Sequence, residues 1–360
     1  MKTQTINLLA VLALSVSSSA KDKHDYPIKK HREFDGRSLA ITQKYWNQYQ
    51  TSTKMIPWEG KNICFITMAE KEAETEVKKV EAFTRILDQG WDVYADMLEP
   101  HQPRRLRQHK GKSTFIATPG RYAGKNTIGC GYIGQTGVEV STYYSEDQAA
   151  FDGYVFPIYY FYELGRNWFV FGNRLNYMNA CLPVHMRGII GAKLDVGYKD
   201  KKRLEREMDS MKKGFESFTK SKEVFSSILN NDRGRISQYG SRELPGDNNT
   251  LYAGMLYHFA EKFGRSREYG DKAGDAFYRK YYQGVMETPD TGDKKTNTLM
   301  IVASLSHAAG KDLSTYCNKE MRVGLTPEAL KLFKRHRWSK DRAVKDFFRK
   351  VKKIDDYIQW

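Results

Sequence analysis

Residues 161–172 read FYELGRNWFVFG, and of all the stretches in the chain this one comes nearest to metal chemistry. A helix that presents two imidazoles one turn apart, with a glutamate beside the first, holds zinc on the imidazoles and lets the carboxylate activate a bound water. Here the glutamate is Glu163, and the two ligand positions are Tyr162 and Arg166. A guanidinium stays protonated and offers only donors, so Arg166 repels a dication. A phenol ligates as phenolate, and an ordinary pKa of about 10 keeps the proton on Tyr162 at neutral pH. Glu163 and Arg166 stand three residues apart, where opposite charges on a helix compensate one another. The expectation is a helix with an internal ion pair in place of a metal site, with no cofactor.

Other chemical motifs are incomplete. The eight histidines, at 24, 31, 101, 109, 185, 258, 307 and 336, include no pair three or four residues apart. His258 and His307 fall in apolar helical stretches and read as core histidines. Gly129-Cys130-Gly131-Tyr132-Ile133-Gly134 fits GxGxxG, but QTGVEVST follows it, a strand pattern rather than the helix a dinucleotide site needs. Its glycines therefore read as turns or close backbone approaches. In LRQHKGKST, Leu106 stands where a phosphate loop requires its first glycine. Arg104, Arg105, Arg107, Lys110 and Lys112, with no acid among them, make this a basic loop. No GxSxG elbow is present for serine hydrolysis.

The chain opens as a secretory leader does: Lys2, an apolar run from Ile6 to Val16, then Ser18 and Ala20 at cleavage positions. A mature, secreted chain is expected from Lys21, and no later stretch is apolar enough to span a membrane. Cys64, Cys130, Cys181 and Cys317 allow two disulfides in three pairings. Asn248-Asn249-Thr250 is a glycosylation sequon at Asn248. The net charge of +16 favours a polyanionic partner. It concentrates in residues 331–353, where eleven Lys or Arg face two Asp. There Val344, Phe347, Phe348, Val351 and Ile354 form a stripe at helical spacing that would pack on the core and turn Arg335, Arg337, Arg342, Arg349 and Lys350 outward.

These groups need elements to hold them. Residues 21–36 read as a loose polar arm. Strands are expected at 62–68, 113–118 and 138–142, with a helix over 70–98 that Gly90 bends or breaks. Further helices are expected at 201–230, 250–264, 271–286, 295–309, 326–336 and 339–356. A β-containing half followed by a helical half predicts an α+β fold. The domains expected are the leader 1–20, an α+β subdomain 21–180 and a helical subdomain 181–360.

With the elements in order, FYELGRNW resembles the HELGHNW-type helix of gluzincin-like metallopeptidases, the group of enhancin-like and mucin-degrading enzymes. The long helix, the strands and the glycine-rich edge strand before the motif are similar to the upper part of a zincin, and residues 303–330 resemble that group's later helical segment. The resemblance spans residues 37–335. It implies a zincin-like scaffold, a glutamate base at Glu163 and a downstream acidic ligand, for which Asp195, Glu205 and Glu207 are the acids at hand. Since both imidazole positions depart from the pattern, the expected protein is a secreted, catalytically inactive metallopeptidase-like protein. Its partner would be an acidic extracellular polymer or mineral, such as matrix polysaccharide or biosilica, bound through the basic C-terminus or the Arg104–Lys112 loop. The alternative is an active secreted peptidase or glycosidase in which Glu163 works with a second carboxylate.

Overall fold

A computed structural model describes residues 26–36, 54–103, 109–118, 129–131, 137–168, 170, 178–227, 248–289 and 293–359. The leader-like segment and Arg104, Arg105 and Arg107 lie outside the described residues.

ICFITM and STFIA are continuous apolar or β-branched runs of the kind that form strands buried on both faces. They become β4 (Ile63–Met68) and β5 (Ser113–Ala117), with every residue buried. Around them lie β1 (Lys29–Lys30), β2 (Phe34–Asp35), β3 (Lys54–Glu59), β6 (Gly129–Gly131) and β7 (Val138–Val140). The sheet order is β1-β3-β4-β5-β7-β6, with β2 also on β3. β4, β5 and β7 run parallel, and the other pairs are antiparallel. Residues 26–36 are thus not a loose arm, because β1 and β2 are paired to the sheet. β3 was not anticipated, since Pro57 lacks the amide a central strand uses. It is tolerated because β1 pairs only with Trp58 and Glu59, and β2 only with Lys54 and Met55, leaving Pro57 opposite the gap.

The β3–β4 turn is fixed by a carboxylate from elsewhere. Asp88 accepts hydrogen bonds from the amides of Lys61, Asn62 and Ile63 at 2.8, 2.7 and 2.9 Å. Gly60 makes room for it, since a Cβ there would sit 2.0 Å from Asp88 Oδ2. Asp88 belongs to α1 (Val77–Leu98); of the apolar residues at helical spacing, Val80, Phe83, Leu87, Tyr94 and Leu98 are buried and Trp91 partly so, whereas Val77 is exposed. A 3₁₀ turn over Ala69–Glu74 replaces the expected first helical turns. Gly90 neither bends nor ends α1; it gives Phe161 room to lie against the helix, as a Cβ would come within 2.6 Å of the Phe161 ring.

The remaining α-helices of six residues or more are α2 (Tyr159–Gly165), α3 (Met178–Leu194), α4 (Lys202–Lys220), α5 (Asn248–Gly264), α6 (Lys272–Met286), α7 (Lys294–Ala309), α8 (Pro327–Arg335) and α9 (Ala343–Phe348). Side-chain caps start three of them: Asp271 accepts from Gly274 N, Asp293 from Thr296 N and Thr326 from Ala329 N. Pro327 occupies the first turn of α8. The larger apolar core runs from Ile56 to Ile358 and joins the sheet to the helices, and a smaller cluster of Met55, Cys64, Ile66 and Ile116 packs with Phe34. The fold is mixed α/β, with its strands in the N-terminal part and a helical C-terminal half.

One further expectation needs correction. The helix expected over 339–356 ends at Phe348, and a separate 3₁₀ turn covers Ile354–Asp356. Its apolar stripe still packs inward: Val344 and Phe347 are buried, and Phe348, Val351 and Ile354 lie against the core. No disulfide joins cysteines among the described residues. Cys64 and Cys317 are buried thiols, Cys181 donates to Asn249 Oδ1 at 3.2 Å, and the side chain of Cys130 is outside the described residues. No helix among the described residues is long and apolar enough to cross a membrane.

Candidate functional site

The motif helix α2 is shorter than its aromatic sequence implied, and side chains from other elements hold it at both ends. At its start, buried Asp147 accepts from the hydroxyls of Thr142, Tyr159 and Tyr160 at 2.8, 2.7 and 2.9 Å. Burial raises the Asp147 pKa, and these three donors work against the rise. Tyr94 of α1 donates to Phe161 O, within α2, at 3.0 Å and stacks on Trp168, just past its end. The edge strand β6 lies against the same helix.

On α2, Glu163 is 6% exposed and Arg166 Nη1 lies 3.6 Å from its Oε2, so the expected ion pair is present. The Arg166 guanidinium also lies 5.8 Å from the centre of the Tyr162 ring. Sequence reasoning missed Arg187 of α3, which approaches the same ring to 5.9 Å. Among the described residues no three His, Cys, Asp or Glu side chains are grouped as metal ligands. The downstream acids do not join Glu163: Asp195 and Glu205 line a cleft of about 400 Å³ to which α2 contributes nothing, and Glu207 accepts from Tyr198 OH at 3.1 Å.

The C-terminal cations gather more closely. Arg335 at the end of α8, Arg337 and Lys340 in the following turn, and Arg349 and Lys350 after α9 line one concavity of about 400 Å³. His336 also lines it; its Nε2–H donates to Ala343 O at 2.8 Å, and its Nδ1 accepts from Lys350 at 3.3 Å. Burial is the largest cause lowering the His336 pKa, and Lys350 adds to it. Asp346 is the one acid lining this groove, and Arg349 Nη1 pairs with it at 3.0 Å. Arg342 departs from expectation: at φ 58° before α9 it lines a neighbouring cleft with Glu287, His307 and Asp341.

An aromatic cluster holds the groove's three segments together. Phe333, Trp338 and Phe347 meet with ring centres 4.6 to 5.1 Å apart. Trp338 Nε1 donates to Phe333 O at 3.0 Å, and His307 Nδ1–H to Trp338 O at 3.0 Å. His307 is thus a partnered core histidine, as is His258, which lies between Glu216 and Tyr316.

Of the basic loop, Lys110 and Lys112 are less available than the sequence implied. Lys112 lies 2.8 Å and Lys110 3.5 Å from Glu59, which also bonds His31. The acid missing from the loop is supplied by β3. His185, another residue the sequence did not single out, is fully buried; its Nδ1 meets Tyr282 OH at 3.0 Å, and burial depresses its pKa to about 3. Comparison with protein-family models, curated proteins and solved structures finds no match to this chain.

Proposed function

We propose that the protein is a secreted, catalytically inactive metallopeptidase-like protein that binds a sulfated or carboxylated extracellular polysaccharide through its C-terminal groove. One observation carries the binding part of this reading: Arg335, Arg337, Lys340, Arg349 and Lys350, spread over 16 residues, line a single concavity with one acid among them. A solvated charged face would spread its cations over a convex surface. Converging cations raise the local potential and release condensed counterions when a polyanion binds. Mineral such as biosilica offers a similar charge and is the second surface to try. The scaffold part rests on the resemblance of FYELGRNW to a zinc helix, supported by the antiparallel edge strand β6 beside α2 and by the long helix α1 between β4 and β5. The leader-like first twenty residues and the sequon at Asn248, the first residue of α5, suit an extracellular life.

Retention on immobilised heparin tests the binding part. The wild type should elute later than a variant with Arg335, Arg337, Lys340, Arg349 and Lys350 replaced by glutamine. Co-elution would remove the groove from the reading.

A further inference from the structure

The cleft of about 400 Å³ that Asp195 and Glu205 line is bounded by the end of α3, one side of α4, part of α5 and the connection from α5 to α6. Helical spacing builds the α4 wall: Leu204, Met208 and Lys212 fall four residues apart, with Glu205 and Asp209 in the next row. Leu204 and Met208 are buried, as is Val196 opposite them in sequence order, so part of the lining is apolar.

The charge of this cleft runs against that of the chain. Asp195, Glu205, Asp209, Glu261 and Glu268 line it against three cations, in a protein of net charge +16. Two of the acids are engaged. Lys212 Nζ lies 2.7 Å from Glu261 Oε2 and 3.7 Å from Asp209 Oδ1, and Tyr269 OH donates to the same Asp209 oxygen at 2.7 Å. Among the described residues, the side chains of Asp195, Glu205 and Glu268 have no salt bridge and no hydrogen bond. Of the remaining cations, Lys201 lies over the Tyr154 ring at 4.4 Å, and Arg267 is exposed.

Tyr278 of α6 points to a ligand independently of the acids. It lines the cleft and is 2% exposed, yet its hydroxyl makes no hydrogen bond among the described residues. The cleft's other inner tyrosines are satisfied: Tyr257 OH donates to His185 O at 2.8 Å, and Tyr269 OH to Asp209. A buried phenol without a partner has given up its hydrogen bonds to water, and a ligand in the cleft restores them. Its oxygen can accept from an ammonium, which carries three donors and no acceptor. Tyrosine faces attract the same kind of ligand.

We propose that this cleft binds a small organic cation, a primary amine carried on an alkyl or sugar body. The unpaired carboxylates hold its charge, the Tyr278 hydroxyl takes a further hydrogen bond, and Leu204 and Met208 face its carbons. A cleft of this volume suits a ligand of that size. The inference goes beyond the C-terminal groove, which is lined by cations, and does not depend on it.

Equilibrium dialysis of the full mature chain tests it at mildly acidic pH, where the amines are protonated. The probes are cadaverine and glucosamine. The controls, at matched ionic strength, are their uncharged counterparts: the diol of the same chain length and N-acetylglucosamine. One or both amines should bind saturably and neither control should. Binding of cadaverine alone assigns an alkyl amine, and binding of glucosamine alone an amino sugar. Replacing Asp195 by Asn and Glu205 by Gln together should weaken the bound amine about tenfold or more. Tyr278→Phe, which removes only the hydroxyl, should weaken it about fivefold. If Tyr278→Phe does not fold, the exposed Asp195 and Glu205 replacements carry the comparison with Glu268→Gln. Absence of binding by both amines, equal binding of the uncharged counterparts, or affinities unchanged in the folded variants overturns the proposal.

Discussion

The Arg166 guanidinium stands 3.6 Å from the Glu163 carboxylate, one turn along α2, at the position where a zinc helix carries its second imidazole. The two charges offset one another, but the separation is long and Arg166 keeps 27% of its side-chain surface exposed. Removing the carboxylate should therefore cost little, about 1 kcal/mol. Glu163→Gln is expected to lower the denaturation midpoint slightly and to leave no lost activity. Purified mature protein should carry well under one zinc per chain by elemental analysis. One zinc per chain, or proteolysis that a chelator stops, would favour the active hydrolase instead.

Glu59 gives the fold an acid-sensitive contact. The Lys112 ammonium hydrogen-bonded to it does most to hold its carboxyl down to about 2, against burial, with His31 and Lys110 helping. The folded state thus binds this proton more weakly than the unfolded chain does. The stabilisation is complete above the ordinary value of 4.5 and is lost as pH falls toward 2. Because the groups are partly exposed, it amounts to no more than about 1 kcal/mol. Glu59→Gln should flatten the stability profile within that window and leave the slope above it unchanged. A parallel profile would show that the contact is absent in solution.

Gly90→Ala tests the packing of α2 on α1. Alanine favours a helix over glycine by about 1 kcal/mol. At this position its Cβ would come within 2.6 and 2.8 Å of two carbons of the Phe161 ring. Overpacking should prevail, with a net loss of about 1 to 3 kcal/mol measured by urea unfolding. A stabilised variant would mean that Phe161 does not rest against Gly90.

Where local pattern and tertiary environment agree, the sequence was readable. β4, β5, α5, α6, α7 and α8 lie close to their expected ranges, because apolar spacing and, for α6 to α8, the Asp and Thr caps act within a few residues. β3 was missed because Pro57 argues against a strand, and only the gap between β1 and β2 accommodates it. α3 was missed because Pro183, Gly188 and Gly191 interrupt a helix buried on most sides. The basic tail was legible as a charge run. Its concavity was not, because folding of Trp338 and Phe347 onto Phe333 brings two separate cation clusters together. The Glu163–Arg166 pair could be read from helical spacing, but Arg187 could not, since nothing local links it to Tyr162.

The central claim is that the C-terminal groove binds a polyanion by Coulomb attraction and counterion release. Its most direct test is the dissociation constant for a defined sulfated oligosaccharide across a salt series, for the wild type and for the variant with Arg335, Arg337, Lys340, Arg349 and Lys350 replaced by glutamine. The wild type should lose affinity linearly in a log–log plot as salt rises. The variant should bind at least tenfold more weakly at low salt, with a visibly flatter slope and an unchanged fold, because Val344 and Phe347 remain in the core. Identical slopes and affinities for the two proteins would contradict the account.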